Sequence, residues 1–160
     1  MPPSRADLEI LRLMVAAPRL GVREYARRLG IARGTAQARV SRLESEGVVT
    51  DYRPQLSPAA LGFPVMAYVH VHVSQGEVDQ IFPQLALIPE LLEASSVAGD
   101  ADLICRVIAR DHVHLQSVLQ RIIGTRGVQR TRSEIVLERR VEPRATALID
   151  SMLRDGTGKP

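Results

Sequence analysis

Val22-Arg-Glu-Tyr-Ala-Arg-Arg-Leu-Gly-Ile-Ala-Arg-Gly-Thr-Ala-Gln-Ala-Arg-Val-Ser-Arg-Leu-Glu-Ser-Glu46 reads as two short helices joined by a tight turn. Apolar residues recur at helical spacing in each half: Val22, Ala26 and Leu29, then Ala36, Val40 and Leu43. The turn falls at Gly30, which accepts positive φ without a Cβ penalty. Ala26 is small enough to let the two helices cross closely. This layout is that of a helix-turn-helix, whose second helix enters the DNA major groove. Arg33, Gly34, Thr35 and Gln37 open the second helix, where base edges are met, and Arg39 and Arg42 follow on a face away from Val40 and Leu43. Arg pairs in a bidentate way with guanine, Gln with adenine, and Thr bonds bases or phosphates. The N-cap position is Ala32, which offers no side-chain acceptor and costs about 1 kcal/mol relative to a good cap. A bound phosphate would supply that acceptor.

Charge distribution agrees with this reading. Residues 1–60 hold ten Arg against six acids, residues 61–127 four against seven, and residues 128–160 six Arg and one Lys against five. The positive charge therefore sits with the helix-turn-helix, as binding to phosphates requires. The 160 residues suit one large domain or two small ones. No apolar run approaches the ~18 residues of a membrane helix, and Met1 is not followed by a signal-peptide core. The single Cys105 lies in an apolar run and reads as a core residue. A reducing, cytoplasmic setting is expected.

Outward from the motif, residues 7–17 predict a covering helix with Leu8, Leu11 and Val15 as a stripe and Ile10 and Met14 beside it. Its early acids Asp7 and Glu9 suit the positive helix end. Val48 to Arg53 looks extended and occupies the place of a wing, with Arg53 as a further phosphate contact. Residues 1–53 thus form a DNA-binding domain, and the Pro-containing segment 54–64 a linker. Val65 to Val73 alternates with period two, so that Val65, Ala67, Val69, Val71 and Val73 share one face and Met66, Tyr68, His70 and His72 the other. A helix over 77–87, a hairpin of strands 91–97 and 101–109 turning at Gly99-Asp100, a helix capped by Asp111, and a strand from Val128 follow. The fold class is α+β: a winged helix-turn-helix, then a ferredoxin-like βαββαβ domain over 65–142. A last helix and a disordered tail are expected over 143–160. One sheet face would carry both helices. The other, with Met66, Tyr68, Ile104 and Ile108, needs cover, and a second copy of the sheet is the simplest one.

At this point the sequence resembles the Lrp/AsnC (feast/famine) regulators from about Asp7 to Glu142. The resemblance is carried by Asp7-x-x-Ile10-Leu11, Leu29-Gly30-Ile31, Arg39-Val40-x-Arg42-Leu43-Glu44-x-Glu46-Gly47-Val48-Val49, Leu61-Gly62, Gly99-Asp100-Ala101-Asp102-Leu103, Asp111, Gly127-Val128, Thr131 and Val136-Leu137. It implies a sequence-specific transcriptional regulator on double-stranded DNA, with a RAM-type effector domain. It implies dimers through that domain, assembly to octamers, and an amino-acid effector held between dimers. The implied effector site is Gly99, Asp100, Ala101 and Asp102, with Thr131 and Ser133 as further contacts. An exposed Gly-Asp turn can offer N–H groups to a carboxylate and an Asp to an ammonium, although Gly and Asp also favour turns for local reasons.

Other sites are weighed against this reading. His70 with His72, and His112 with His114, are His-x-His pairs without a well-spaced third ligand, so no metal is expected. Interfacial His70 and His72 would make a dimer sensitive to acidification. No nucleophile triad or phosphate loop occurs, and no cofactor is expected. Sirohaem decarboxylases resemble the same family, so a tetrapyrrole enzyme using Arg106 and His70 is an alternative, as is a low-specificity DNA-organising protein.

Overall fold

The computed structural model describes residues 2–74 and 76–156. Gln75, in the expected turn after the first strand, and the expected tail beyond Gly156 lie outside the described residues. The elements are α1 (Arg5–Ala16), α2 (Val22–Leu29), α3 (Arg33–Ser45), β1 (Val65–Val73), α4 (Val78–Leu85), β2 (Leu91–Ser96), β3 (Leu103–Ala109), α5 (His112–Ile123), β4 (Val128–Ile135) and α6 (Thr146–Arg154). They form two compact units. One is Met1–Pro54 with Val141–Pro160, the other Gln55–Arg140. No described helix is long and apolar enough to cross a membrane.

In the first unit the buried side chains of α3 are Ala36, Val40 and Leu43, the three that helical spacing selects. Gly30 takes φ 65° between α2 and α3, and the Ala26 carbonyl accepts from Ile31 N–H at 3.1 Å. On α1 the buried set is Asp7, Leu8, Ile10, Leu11 and Met14, whereas Val15, expected in the stripe, is 44% exposed. Buried Tyr25 joins this core and donates its hydroxyl to the Ala17 carbonyl at 3.1 Å. The last helix was not assigned a partner by its sequence. It lays Ile149, Met152 and Leu153 against the same core.

The segment expected as the wing carries no strand. Val48 and Val49 both donate to the Leu43 carbonyl at 2.9 and 3.1 Å, and no residue from Val48 to Leu56 is in a strand. A hairpin needs two strands to pair, and this segment has none beside it. The Asp51 side chain instead takes the N–H groups of Tyr52 and Arg53, at 2.7 and 2.9 Å, and Pro54 has no N–H to give.

Asp7 ties α1 to α3. Its residue is fully buried. One carboxylate oxygen accepts from Ser4 N–H at 2.8 Å, Ser4 Oγ at 2.6 Å and Arg42 Nη2 at 2.6 Å. The other accepts from Arg39 Nη1 at 2.9 Å. Ser4 is the N-cap of α1 and completes a capping box with Asp7. The acid read from the sequence as a helix-end charge is thus a buried ionic link. Burial pushes its carboxyl up, but the bonds from Ser4, Arg42 and Arg39 outweigh burial and hold it well below the ordinary value of 3.8.

The second unit is a four-stranded sheet in the order β2-β3-β1-β4, with all neighbours antiparallel. This is the βαββαβ arrangement. Ala67, Val69, Val71, Leu103, Cys105 and Val107 pack on one face with Ile81 and Leu85 of α4 and Leu115, Val118 and Ile122 of α5. Asp111 caps α5 as expected, accepting from His114 N–H at 2.7 Å.

Two outcomes are expected from this architecture. Ile149→Ala should cost about 2–5 kcal/mol and lower amide-exchange protection in α1 while leaving β1 unchanged. Protection lost equally in both would contradict the placement of α6. Asp7→Asn should destabilise the first unit by about 3 kcal/mol at neutral pH, since it leaves two arginines without their partner. A carboxylate with a depressed folded-state pKa stabilises above its unfolded value, and that contribution fades as the pH falls. The gap between wild type and Asp7→Asn in urea unfolding should therefore begin to narrow below about pH 4 and go on narrowing as the pH falls further.

Candidate DNA-reading helix and effector turn

The first unit presents α3 with an open N-terminus. Ala32 is the N-cap and makes no side-chain cap bond. Arg33, Gly34, Thr35 and Gln37 are all exposed, and Gln37 Nε2 donates to Ser41 Oγ at 3.3 Å. Gly34, Thr35, Ala38, Arg39 and Arg42 line a shallow concavity along the helix.

The arginines expected at DNA fall into two groups. Arg39 and Arg42 side chains are each only 33% exposed because Asp7 holds them, and Arg42 Nη1 also lies 3.5 Å from Glu46. Arg53 stays on the surface, 87% exposed, and bonds Asp51 through Nε. No ion pair to Arg33 is found among the described residues. Tyr52, which the sequence did not single out, donates its hydroxyl to Glu44 Oε1 at 2.7 Å. Burial and the Glu44 carboxylate together push that phenol up to about 12. Asp7 and Ser4 were also missed as partners of the reading helix. The only sequence signal was the Ser-x-x-Asp spacing of a capping box.

In the second unit the turn between β2 and β3 carries Gly99 at φ 153°, a backbone region that favours glycine. Ala101 is buried and Asp100 exposed. Asp102 is engaged. Its N–H donates to the Val71 carbonyl at 3.1 Å, its carbonyl accepts from Val97 N–H at 3.0 Å, and its carboxylate accepts from Val73 N–H at 2.8 Å. Asp102 thus stitches the start of β3 to the end of β1, a structural role the sequence did not suggest. Thr131 and Ser133 pair with Val71 and Val69 on the other side of β1, so the turn and Thr131 flank the same end of that strand.

The sheet face away from the helices carries Met66, Tyr68 and His70 on β1, paired with Ile108, Arg106 and Ile104 on β3, and His72, paired with Arg130 on β4. Tyr68 is 39% exposed. The rim is ionic. Arg106 Nε lies 3.4 Å from Glu93, His70 lies 3.8 Å from Glu134, and Arg132 lies 2.5 Å from Glu134. Arg130 Nη2 sits 3.1 Å from His72 Nε2. Arg106 Nε is shielded from solvent yet makes no hydrogen bond. Among the described residues no group of His, Cys, Asp or Glu is placed to hold a metal ion. Burial pushes the Cys105 thiol up to about 11, as suits an inert core residue.

Residues 4–50 match the winged helix-turn-helix DNA-binding family profile, and residues 66–146 match the Lrp/AsnC ligand binding domain. The HTH-type transcriptional regulator Ptr1 of Methanocaldococcus jannaschii is 34% identical over 67% of this chain and 72% of its own. Among solved structures, a feast or famine regulatory protein from M. tuberculosis complexed with L-methionine is 34% identical. It has a TM-score of 0.79 and covers 87% of this chain and 95% of its own. AsnC of E. coli, at 24% identity, shares the fold with a TM-score of 0.84 over 91% of this chain and 99% of its own. The chain therefore belongs to the Lrp/AsnC family of DNA-binding transcriptional regulators, and is a regulator rather than the tetrapyrrole enzyme that its sequence also left open.

Proposed function

We propose that this regulator reads double-stranded DNA with α3 and responds to an amino acid held at the Gly99–Asp102 turn. The observation that carries the DNA half is the exposed, uncapped start of α3. Arg33, Thr35 and Gln37 supply donors and acceptors for base edges there, and the free N–H groups of the helix end suit a phosphate. Arg39, Arg42 and Arg53 supply positive charge for the backbone. The effector half rests on the turn. The N–H groups at Gly99, Asp100 and Ala101 would take the effector carboxylate, and Asp100, exposed where Asp102 is engaged, would take the ammonium. Thr131 and Ser133 would complete the site from β4. The methionine bound to the M. tuberculosis relative sets the ligand class to be tried first.

The regulator works as a homodimer, with two copies joined through the sheet face of Met66, Tyr68, Ile104 and Ile108. This seats an apolar centre within a polar rim that includes His70 and His72. Dimers assemble further, to octamers, in the cytoplasm. The effector acts by shifting the balance between assemblies, since a site shared by subunits binds only the assembled form well.

The test is light scattering of the purified protein with each amino acid in turn, alongside binding to duplex DNA from its own upstream region. A change in mass with one amino acid, lost in Asp100→Ala, is the expected outcome. Assembly indifferent to every amino acid would remove the effector half. On DNA, Gln37→Ala should change the preferred bases in a binding-site selection, while Arg33→Ala should weaken binding by about tenfold, the size of one charge-assisted contact. Unchanged selection and affinity in both would remove α3 as the reader.

A further inference from the structure

The carboxylate that links α1 to α3 sits directly behind the concavity on α3. Asp7 has no exposed side-chain surface, and the side chains of the two arginines bonded to it are one-third exposed. Arg39 spends Nη1 on Asp7 at 2.9 Å and on Ser4 Oγ at 3.3 Å. Its Nε and Nη2 have no partner among the bonds found in the described residues. Arg42 spends Nη2 on Asp7 at 2.6 Å, and its Nη1 is 3.5 Å from Glu46. Arg39 and Arg42 line the same concavity as Thr35, together with Gly34 and Ala38, neither of which carries a bulky side chain. A guanidinium carries five donors in a rigid fork. Arg39 is anchored through Nη1, so its Nε–Nη2 edge is held in place before any ligand arrives, while Arg42, with both terminal nitrogens facing carboxylates, adds a fixed positive charge beside it.

We infer that Thr35, Arg39 and Arg42 form a preformed clamp for one DNA backbone phosphodiester, and that Asp7, with Ser4, is the positioning residue of that clamp. The inference rests on the DNA-reading role of α3. It assigns Arg39 and Arg42 to position rather than base choice, and gives the buried acid a part in binding although it touches no DNA. Two arginines on long, flexible stems ordinarily lose side-chain freedom when they grip a phosphate. Here the fold has already removed that freedom, which leaves more of the contact for affinity.

The sign of one substitution separates positioning from plain charge. Asp7→Asn removes one negative charge beside the two arginines of the concavity, so charge alone calls for tighter DNA binding. Loss of positioning calls for weaker binding. The measurement is fluorescence anisotropy of full-length protein with a labelled duplex of random sequence at one fixed salt concentration. The temperature is chosen so that circular dichroism shows each variant folded. Glu9→Gln removes a charge from α1, where Glu9 pairs with Arg5 at 3.5 Å. It serves as the charge control. Arg39→Lys keeps the charge but not the fork, and stands in if Asp7→Asn is unfolded at every temperature. The expected result is binding weaker by about tenfold in Asp7→Asn and in Arg39→Lys. Asp7→Glu should recover part of the loss, and Glu9→Gln should bind as well as wild type or better. Tighter or equal binding by folded Asp7→Asn, or unchanged binding by Arg39→Lys, overturns the clamp. A wild-type protein that binds no duplex even at low salt overturns the DNA-reading role itself, which is a different failure.

Discussion

Asp7 keeps a full negative charge where no water reaches it, and the groups that make this tolerable come from two separate parts of the chain. Ser4 lies one helical turn before it, while Arg39 and Arg42 lie on the next helix but one. A buried carboxylate without partners would protonate or unfold its surroundings. With them, the charge becomes a demand for one arrangement only: α1 must begin at Ser4, and α3 must present its arginine side to that point. The apolar core of Leu8, Ile10, Val40 and Leu43 supplies adhesion between the helices. Adhesion alone tolerates sliding, whereas a two-armed ionic link with short bonds fixes rotation and register.

Much of the fold can be read from periodicity. Strand β1 alternates over nine residues, and its apolar set is the set that packs on the helices. Gly30 and Asp111 each carry a local requirement, a left-handed turn and a helix cap, that only a few residue types meet. Such features are decided within a few neighbours, which is why one sequence reveals them. The partner of Asp7 is decided by residues thirty-two and thirty-five positions away, and a single acid near a helix start has a sufficient local explanation already. The same holds for Asp102, whose turn setting explains its presence without the bond to Val73. Helix α6 shows an apolar side but no mark of what that side meets. The segment after α3 is the reverse case: an extended-looking sequence signals a strand but cannot supply the neighbour that makes one.

The two halves use their polar groups in the same way. In the sheet unit, Asp102, Glu90 and Asp111 serve the backbone or fixed side-chain partners: Val73 N–H for the first, His114 and Arg121 for the second, His114 N–H for the third. Around the hairpin turn this leaves Asp100 as the acid turned to solvent. On α3 the same economy holds, with Arg39 and Arg42 anchored and Arg33 and Gln37 held out from the core. In each unit, a small number of exposed polar groups stand beside a larger number of committed ones, and the committed ones fix where the exposed ones point.

The return of α6 to the first unit makes the DNA-binding unit discontinuous along the chain, with residues 55–140 inserted into it. Translation then imposes an order. The sheet unit has all its strands once Ile135 has emerged, whereas Ile149 reaches the helix-turn-helix core only after a further stretch of chain has been made. The nascent chain therefore completes its ligand-binding half before its DNA-binding half, the opposite of the order in which the two begin. A product cut short after the sheet would retain the ligand-binding unit, but it would carry a helix-turn-helix with one wall of its core open.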